Sequence, residues 1–256
     1  EPMSEFDRSL STTPRLHVRD ALCAGALITL DQPQSHYLGS VMRRQPGDMV
    51  RLFNGRDGEW AARVASVAKK AVTLAAEHQS GRQEQVPDLW LCAAPLKKGR
   101  IDWLVEKATE LGVAGIAPLI TERSVLRLSG ERAERKQAHW QGVAAAACEQ
   151  CGRNRVPQID TPRGLADWLA APVAPTLRRL VLSLEGDARP LSQAVAGDTH
   201  EAVLLLSGPE GGLSAQEVGQ ARAAGFEPVT LGPRVLRAET APLAALSWLT
   251  LGGAAS

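Results

Sequence analysis

Two glycine-rich segments near the C-terminal end hold the residues best suited to chemistry. Leu206-Ser207-Gly208-Pro209-Glu210-Gly211-Gly212-Leu213-Ser214 follows an apolar, strand-like run at Glu201–Leu206. Leu231-Gly232-Pro233-Arg234-Val235-Leu236-Arg237-Ala238-Glu239-Thr240-Ala241 follows another at Glu227–Leu231. Each segment leads into a helix-like stretch, so both loops are expected at the same ends of neighbouring strands, as a cradle at the edge of an α/β sheet. Glycine there lets backbone approach a ligand closely and reach positive φ. Arg234 and Arg237, three residues apart, share one face if their loop caps a helix, and offer donor forks to an oxygen or a phosphate. Glu210 and Glu239 are the carboxylates able to accept a proton in a poorly solvated loop. Plainer readings compete at each position. The loops can be ordinary strand-to-helix turns, the arginines can pair with Glu239 or Glu210, and Glu210 can simply hold its loop through backbone N–H groups.

Other polar clusters fit a polyanion better than a metal. Gln150, Arg153, Asn154 and Arg155 stand just past a long Ala-rich helical pattern, a position suited to phosphate or base contacts. Arg43 and Arg44, with Arg19, Arg51 and Arg56, form a second basic group. Lys97-Lys98-Gly99-Arg100 is a further basic loop, bland alone. Cys148-Glu149-Gln150-Cys151 lies within a helical pattern and has no second pair of ligands at zinc spacing, and the five histidines are scattered. No metal is therefore expected. Phosphate-binding GxxxxGK[ST], dinucleotide GxGxxG, HExxH and GxSxG motifs are all absent. With only ten aromatic residues, stacking of an unfolded strand on an aromatic platform is not expected; recognition of a folded surface by shape and phosphate fits better.

The elements that must position these residues divide in two. Residues 15–78 read as β-rich: Met49–Phe53 and Trp60–Val67 alternate as half-buried strands, Val72–Ala76 is a third, and Asn54-Gly55 and Asp57-Gly58 mark turns. Gln34–Arg44 is a short helix candidate before Pro46-Gly47. Beyond a polar stretch ending at Pro87, strands at Leu89–Ala94, Gly115–Ile120, Val156–Ile159, Arg179–Leu184, Glu201–Leu206 and Pro228–Leu231 alternate with helices. Those helices fall at Arg100–Leu111, Glu131–Cys151, Arg163–Ala171, Ser214–Ala224 and Glu239–Leu251. Strict alternation predicts a mostly parallel sheet covered by helices. Ser214-Ala215-Gln216-Glu217 fits a capping box, placing the first glycine loop at a helix N-terminus. The organisation read from this pattern is a disordered tail over 1–13, a β domain over 14–78, a linker over 79–88 and an α/β domain over 89–256.

Composition sets looser bounds. A net charge of +1 hides an asymmetry: residues 15–75 carry nine Lys/Arg against five Asp/Glu, whereas residues 156–256 carry seven against ten. A basic front half suits a protein that holds a polyanion with one part and reacts with another. No apolar run approaches bilayer-spanning length, no signal peptide is visible, and four cysteines without a framework fit a reducing cytoplasm.

The two glycine loops resemble those of the SPOUT superfamily of RNA methyltransferases. Matching segments extend to His36-Tyr37-Leu38, Val41-Met42-Arg43, Gly47-Asp48, Leu52-Phe53-Asn54-Gly55, Lys107-Ala108-Thr109-Glu110-Leu111-Gly112, Glu122-Arg123-Ser124, Glu149-Gln150 and Gly152-Arg153. The likeness is greatest to the family that methylates N3 of a uridine in 16S ribosomal RNA, and it covers about residues 14–250. Met42, Cys151, Leu213 and Ala238 depart mildly from the usual pattern. The resemblance implies a C-terminal SPOUT domain with a deep trefoil knot, a small N-terminal PUA-like β-barrel, and a homodimer with its cofactor pocket near the subunit interface. It implies S-adenosyl-L-methionine as cofactor, held by a third loop at Leu184, Glu185 and Gly186 together with Gly208, Pro209, Gly211, Gly212, Leu231, Gly232, Leu236 and Thr240. Glu185 either bonds ribose hydroxyls or begins a turn. The partner implied is 16S rRNA within the small ribosomal subunit. Two alternatives stand: a SPOUT enzyme acting on tRNA or 23S rRNA, and a non-catalytic ribosome-assembly factor.

Overall fold

The computed structural model describes residues 13–68, 71–97, 99–171, 178–195 and 202–251. The expected tail, apart from Thr13, and Lys98 lie outside the described residues. The chain forms two compact units: one runs to Gln85 and adds Cys148–Val156, and the other comprises Val86–Ala147 and the chain from Pro157 onward.

The first unit is built on β1 (Arg15–His17), β2 (Leu27–Thr29), β3 (Met49–Phe53), β4 (Glu59–Val67) and β5 (Val72–Gly81), in the order β1-β3-β4-β5-β2. β1 runs parallel to β3 and the remaining pairs are antiparallel. Alternation sends Val50, Leu52, Ala62, Val64, Val72 and Leu74 into one core with Leu16, Ile28 and Leu38. Three register shifts along β4 and β5 bend the sheet. Gly58 is required where the strands meet, because a Cβ there would stand 2.4 Å from the carbonyl oxygen of Gly81.

Helix α1 (Gln32–His36) starts where the Asp31 carboxylate accepts from Gln34 N, and it passes into a π-helical turn at Tyr37–Val41. The helix expected to reach Arg44 ends earlier, since Arg43 adopts φ 53°. β5 also runs to Gly81, into the stretch read as linker, because Gly81 pairs with Glu59. β1 and β2, at three residues each, are too short to show a period in the sequence.

Cys148–Val156 groups with this first unit, whereas the sequence boundary places it in the α/β domain. Its anchor is Arg15, 7% exposed, whose guanidinium donates to the carbonyls of Cys148, Gly152 (3.1 Å) and Arg153 (3.0 Å). Its Nε meets Glu59 Oε2 at 2.6 Å, and its carbon lies 4.7 Å over the Phe53 ring. One cation thus collects the carbonyls left over at a helix end, where the dipole favours positive charge.

The second unit holds β6 (Leu89–Ala93), β7 (Gly115–Ile120), β8 (Gln158–Ile159), β9 (Arg163–Gly164), β10 (Arg178–Leu182), β11 (Arg189–Pro190), β12 (Val203–Ser207) and β13 (Glu227–Thr230). Its helices are α2 (Arg100–Glu110), α3 (Gly130–Cys151, which passes into the first unit at Cys148), α4 (Leu165–Leu169), α5 (Leu191–Ala194), α6 (Ala215–Ala223) and α7 (Thr240–Leu251). The sheet order is β11-β13-β10-β12-β6-β7-β8, with β9 on β7, and every pairing is parallel. β12 is buried along its whole length, as a central strand covered on both faces must be. Leu204, Leu206, Val181, Cys92, Leu119, Trp168 and Phe226 pack in one cluster on this sheet. The short β9 precedes α4 in a stretch read as one helix, and β11 and α5 were not foreseen.

Glu149 gives the first unit a pH signature. It accepts from His17 N at 2.9 Å, but burial pushes its carboxyl above the ordinary 4.5, against the opposing pull of that bond and of Arg15. The folded state therefore holds this proton more tightly than the unfolded chain does. Its contribution is full below the unfolded pKa and is lost as pH rises through the folded one. In urea unfolding followed from pH 4 to 7, Glu149→Gln should gain stability relative to wild type as pH rises.

Candidate active site

Because β13, β10 and β12 are adjacent and parallel, the loops leaving their C-terminal ends share one edge of the sheet. Between them lies a cavity of about 540 Å³. Leu182, Ser183, Leu184 and Glu185 line it from the first loop, Ser207 to Leu213 from the second, and Leu231, Gly232, Arg234, Val235, Leu236 and Ala238 from the third.

The second loop folds back on itself. Gly212 N donates to Pro209 O at 2.8 Å, and Gly212 takes φ 69°. A Cβ on Gly208 would stand 3.0 Å from Leu213 N and 3.1 Å from Gly212 C, so any side chain here would push the loop backbone apart by a few tenths of an ångström. The loop then enters α6 through a complete capping box: Ser214 Oγ accepts from Glu217 N, and Glu217 Oε2 accepts from Ser214 N at 2.9 Å. The other oxygen of Glu217 accepts from Glu122 N at 2.7 Å. Arg123 grips the same loop from the β7 side, donating to the carbonyls of Gly211 (2.8 Å) and Leu213 (3.4 Å).

The first loop is held from α6. Arg222 donates to both oxygens of Asp187, at 2.7 and 2.9 Å, and to Glu185 Oε2 at 2.9 Å. These bonds keep the Asp187 carboxyl below its usual range. In the third loop Gly232 takes φ 108°, and Thr230 Oγ1 exchanges 3.2 Å bonds with its backbone.

Of the residues expected to hold a cofactor, Leu184, Glu185, Gly208, Pro209, Gly211, Gly212, Leu231, Gly232 and Leu236 line the cavity, and Gly186 and Thr240 do not. Arg234 and Glu210 line it; Arg237 and Glu239 do not. Residues 231–237 are not helical, so Arg234 and Arg237 share no helix face. Arg237 instead lends its carbonyl to Thr240 N and Ala241 N at the start of α7. Glu239 faces Arg100 at 3.7 Å. Glu210 is exposed, with a long 3.5 Å contact from Lys97 N, so the poorly solvated setting expected for it is absent from the described residues. Sequence reasoning missed Ser183, Val218, Val229 and Ala241 on the cavity wall, and the parts of Arg123 and Arg222 in fixing its loops. The run Glu122-Arg123-Ser124 was the one available signal.

The wall fits a nucleoside-bearing sulfonium. Leu182, Val229, Leu231 and Leu236 supply apolar flanks, close backbone reads edges, and the Glu185 carboxylate suits hydroxyls.

In the first unit, Arg19, Arg43, Gln150 and Arg155 are exposed and Arg44 is half-buried. Arg153 and Asn154, also expected at the RNA, are 7% and 8% exposed. Arg153 faces Glu84 at 3.5 Å, while Asn154 bonds Arg82 O, Gln83 Nε2 and Glu84 N. Cys148 and Cys151 are both free, and burial pushes the Cys148 thiol up to about 12. Among the described residues, no group of three or more His, Cys, Asp or Glu is placed to hold a metal ion, and no helix is long and apolar enough to cross a membrane.

A family described as an RNA methyltransferase domain matches residues 71–250, and one described as an RNA methyltransferase PUA domain matches residues 30–77. The ribosomal RNA small subunit methyltransferase E of a Synechocystis species is 32% identical over 234 residues, 91% of this chain and 76% of its own length. The Bacillus subtilis protein of that name is 31% identical over 219 residues, 83% of this chain and 85% of its own. The Neisseria gonorrhoeae protein of that name, solved bound to S-adenosyl methionine, superposes with a TM-score of 0.82 at 32% identity, over 93% of this chain and 98% of that one. A Legionella pneumophila protein, Lpg2936, solved with bound SAM, gives 0.85 at 33% identity, over 94% and 98%. The chain belongs to the ribosomal RNA small subunit methyltransferase E family.

The Glu217 carboxylate yields the test of this geometry. Glu217→Ala strips the acceptor from two backbone N–H groups, and should cost about 2–4 kcal/mol in urea unfolding. It should also weaken S-adenosylmethionine binding by calorimetry, whereas Glu217→Gln, keeping one acceptor, should fall between.

Proposed function

We propose that this protein transfers a methyl group from S-adenosyl-L-methionine to N3 of one uridine in 16S rRNA of the small ribosomal subunit. The observation that carries the reading is the three-loop cavity at the C-terminal edge of a parallel sheet, in a chain of this family. Bound there, the cofactor supplies an electrophilic methyl whose bonding electron pair stays with sulfur when the carbon passes to nitrogen.

The protein's task is to make N3 a nucleophile. That nitrogen carries a weakly acidic proton, so the site must accept it, steady the charge left on the flanking carbonyl oxygens and hold the ring in line. Glu210, on the cavity rim, is the proton acceptor in this reading, and the Arg234 guanidinium faces the uracil oxygens. The exposed Arg19, Arg43, Gln150 and Arg155, with Arg44, contact phosphate groups.

Homodimerisation belongs to the same proposal. α7 is apolar nearly all round, yet Trp248 is 51% and Leu251 64% exposed, and Val235 on the third loop is 82% exposed. A second copy covering this surface would shield the cavity rim, with a trefoil knot bracing the loops. Sedimentation equilibrium should return a dimer, and Trp248→Glu should shift it towards monomer. In this reading the enzyme works in the cytoplasm, alongside the ribosomal subunit it modifies.

The direct test incubates the protein and labelled cofactor with small subunits lacking the modification, then maps the product by mass spectrometry. A single 3-methyluridine in 16S rRNA is expected. Transfer to another RNA or to a ribose would overturn the substrate assignment, and no transfer with no cofactor binding would indicate an assembly factor. Glu210→Gln should lower kcat by about 10²–10⁴ with cofactor Kd little changed.

A further inference from the structure

A second recess, of about 310 Å³, adjoins the cofactor cavity. Lys97, Arg100, Arg123 and Val125 line it, together with Glu210 and Gly211, which also line the first cavity. The cations arrive from three chain segments: the end of the β6–α2 loop, the first residue of α2, and the turn after β7. Arg123 has one nitrogen on the carbonyls of Gly211 and Leu213, and Arg100 faces Glu239 at 3.7 Å. Lys97 differs. Among the described residues its ammonium has no hydrogen-bond or ion-pair partner, and the residue is exposed.

Three positive charges against the Glu210 carboxylate, with Glu239 behind Arg100, leave the recess positive. We infer that the recess is a subsite for a backbone phosphate of the acceptor RNA, with Lys97 as its mobile cation. This deepens the proposed methyl transfer and rests on it. Because Glu210 and Gly211 form the wall common to both cavities, a phosphate held there lies directly beside the donor site. The Glu210 carboxylate repels it from that wall towards Lys97, Arg100 and Arg123, which fixes the direction from which the target nucleotide enters.

The test uses the full chain, small subunits lacking the modification and labelled cofactor, with KM for RNA measured between 50 and 200 mM salt, on the order of the range where counterion release is read. Lys97→Ala should raise that KM about three- to tenfold, and Lys97→Glu further. Lys97→Arg should stay within about twofold of wild type. The slope of log KM against log salt should fall by about 0.7–0.9 in Lys97→Ala, the mark of one lost phosphate contact. Cofactor Kd should be unchanged in all three. An unchanged KM and slope, or a loss confined to cofactor affinity, overturns the inference. Wild type failing to transfer methyl at all would condemn the underlying reading instead. RNA retention on filters then still reads the recess, and equal retention of wild type and Lys97→Glu overturns it.

Discussion

One buried carboxylate sets the geometry on which the site depends. Glu217 accepts from its own helix cap and from the backbone of the turn after β7, so both of its oxygens are used on N–H groups of different segments. A carboxylate at a helix N-terminus is well placed by the dipole, and charged acceptors make the stronger hydrogen bonds. The glycine loop before that helix consequently has a fixed far end. Its near end is fixed by β12, the fully buried central strand. What lies between is short, tightly folded and free of side chains where the backbone crowds, which leaves its surface open to a ligand.

The same economy recurs beside it. Arg222 ties the loop after β10 with both terminal nitrogens of its guanidinium, and Arg123 ties the glycine loop itself with one nitrogen on two carbonyls. These bonds are solvent-exposed and individually weak. Their worth lies in orientation, because a methyl transfer in line with a leaving sulfur tolerates little misplacement. Rigid strands supply the position, and the arginines trim the angle.

Much of this was legible in the sequence, for identifiable reasons. Alternating strands and helices announced the parallel sheet, and Ser214 with Glu217 announced the cap that the structure contains. Glycine and proline named the loops because they are demanded by backbone sterics, a local matter. Burial is not local. Arg153 and Asn154 looked like surface polar residues beside a helix end, yet they are enclosed by Arg82, Gln83 and Glu84, some seventy positions earlier. Glu239 and Arg237 carried the right chemistry in the right loop, but a loop's path decides which side chains meet a cavity, and spacing alone does not trace that path. The three-residue β1 was invisible for want of length, although its first residue anchors the distant segment.

That anchor has a consequence for the order in which the chain can mature. The sheet of the first unit is complete by Gly81, but the carbonyls that Arg15 needs are not made until residues 148–153. At about 5–20 residues per second, a ribosome takes roughly 3–14 seconds to cover that interval. Throughout it, Arg15 has Glu59 and the Phe53 ring but lacks its oxygen acceptors, inside a sheet that is otherwise ready to close. The N-terminal unit is thus first in sequence and not first to be finished: its last piece is delivered only after the opening third of the other unit has been synthesised.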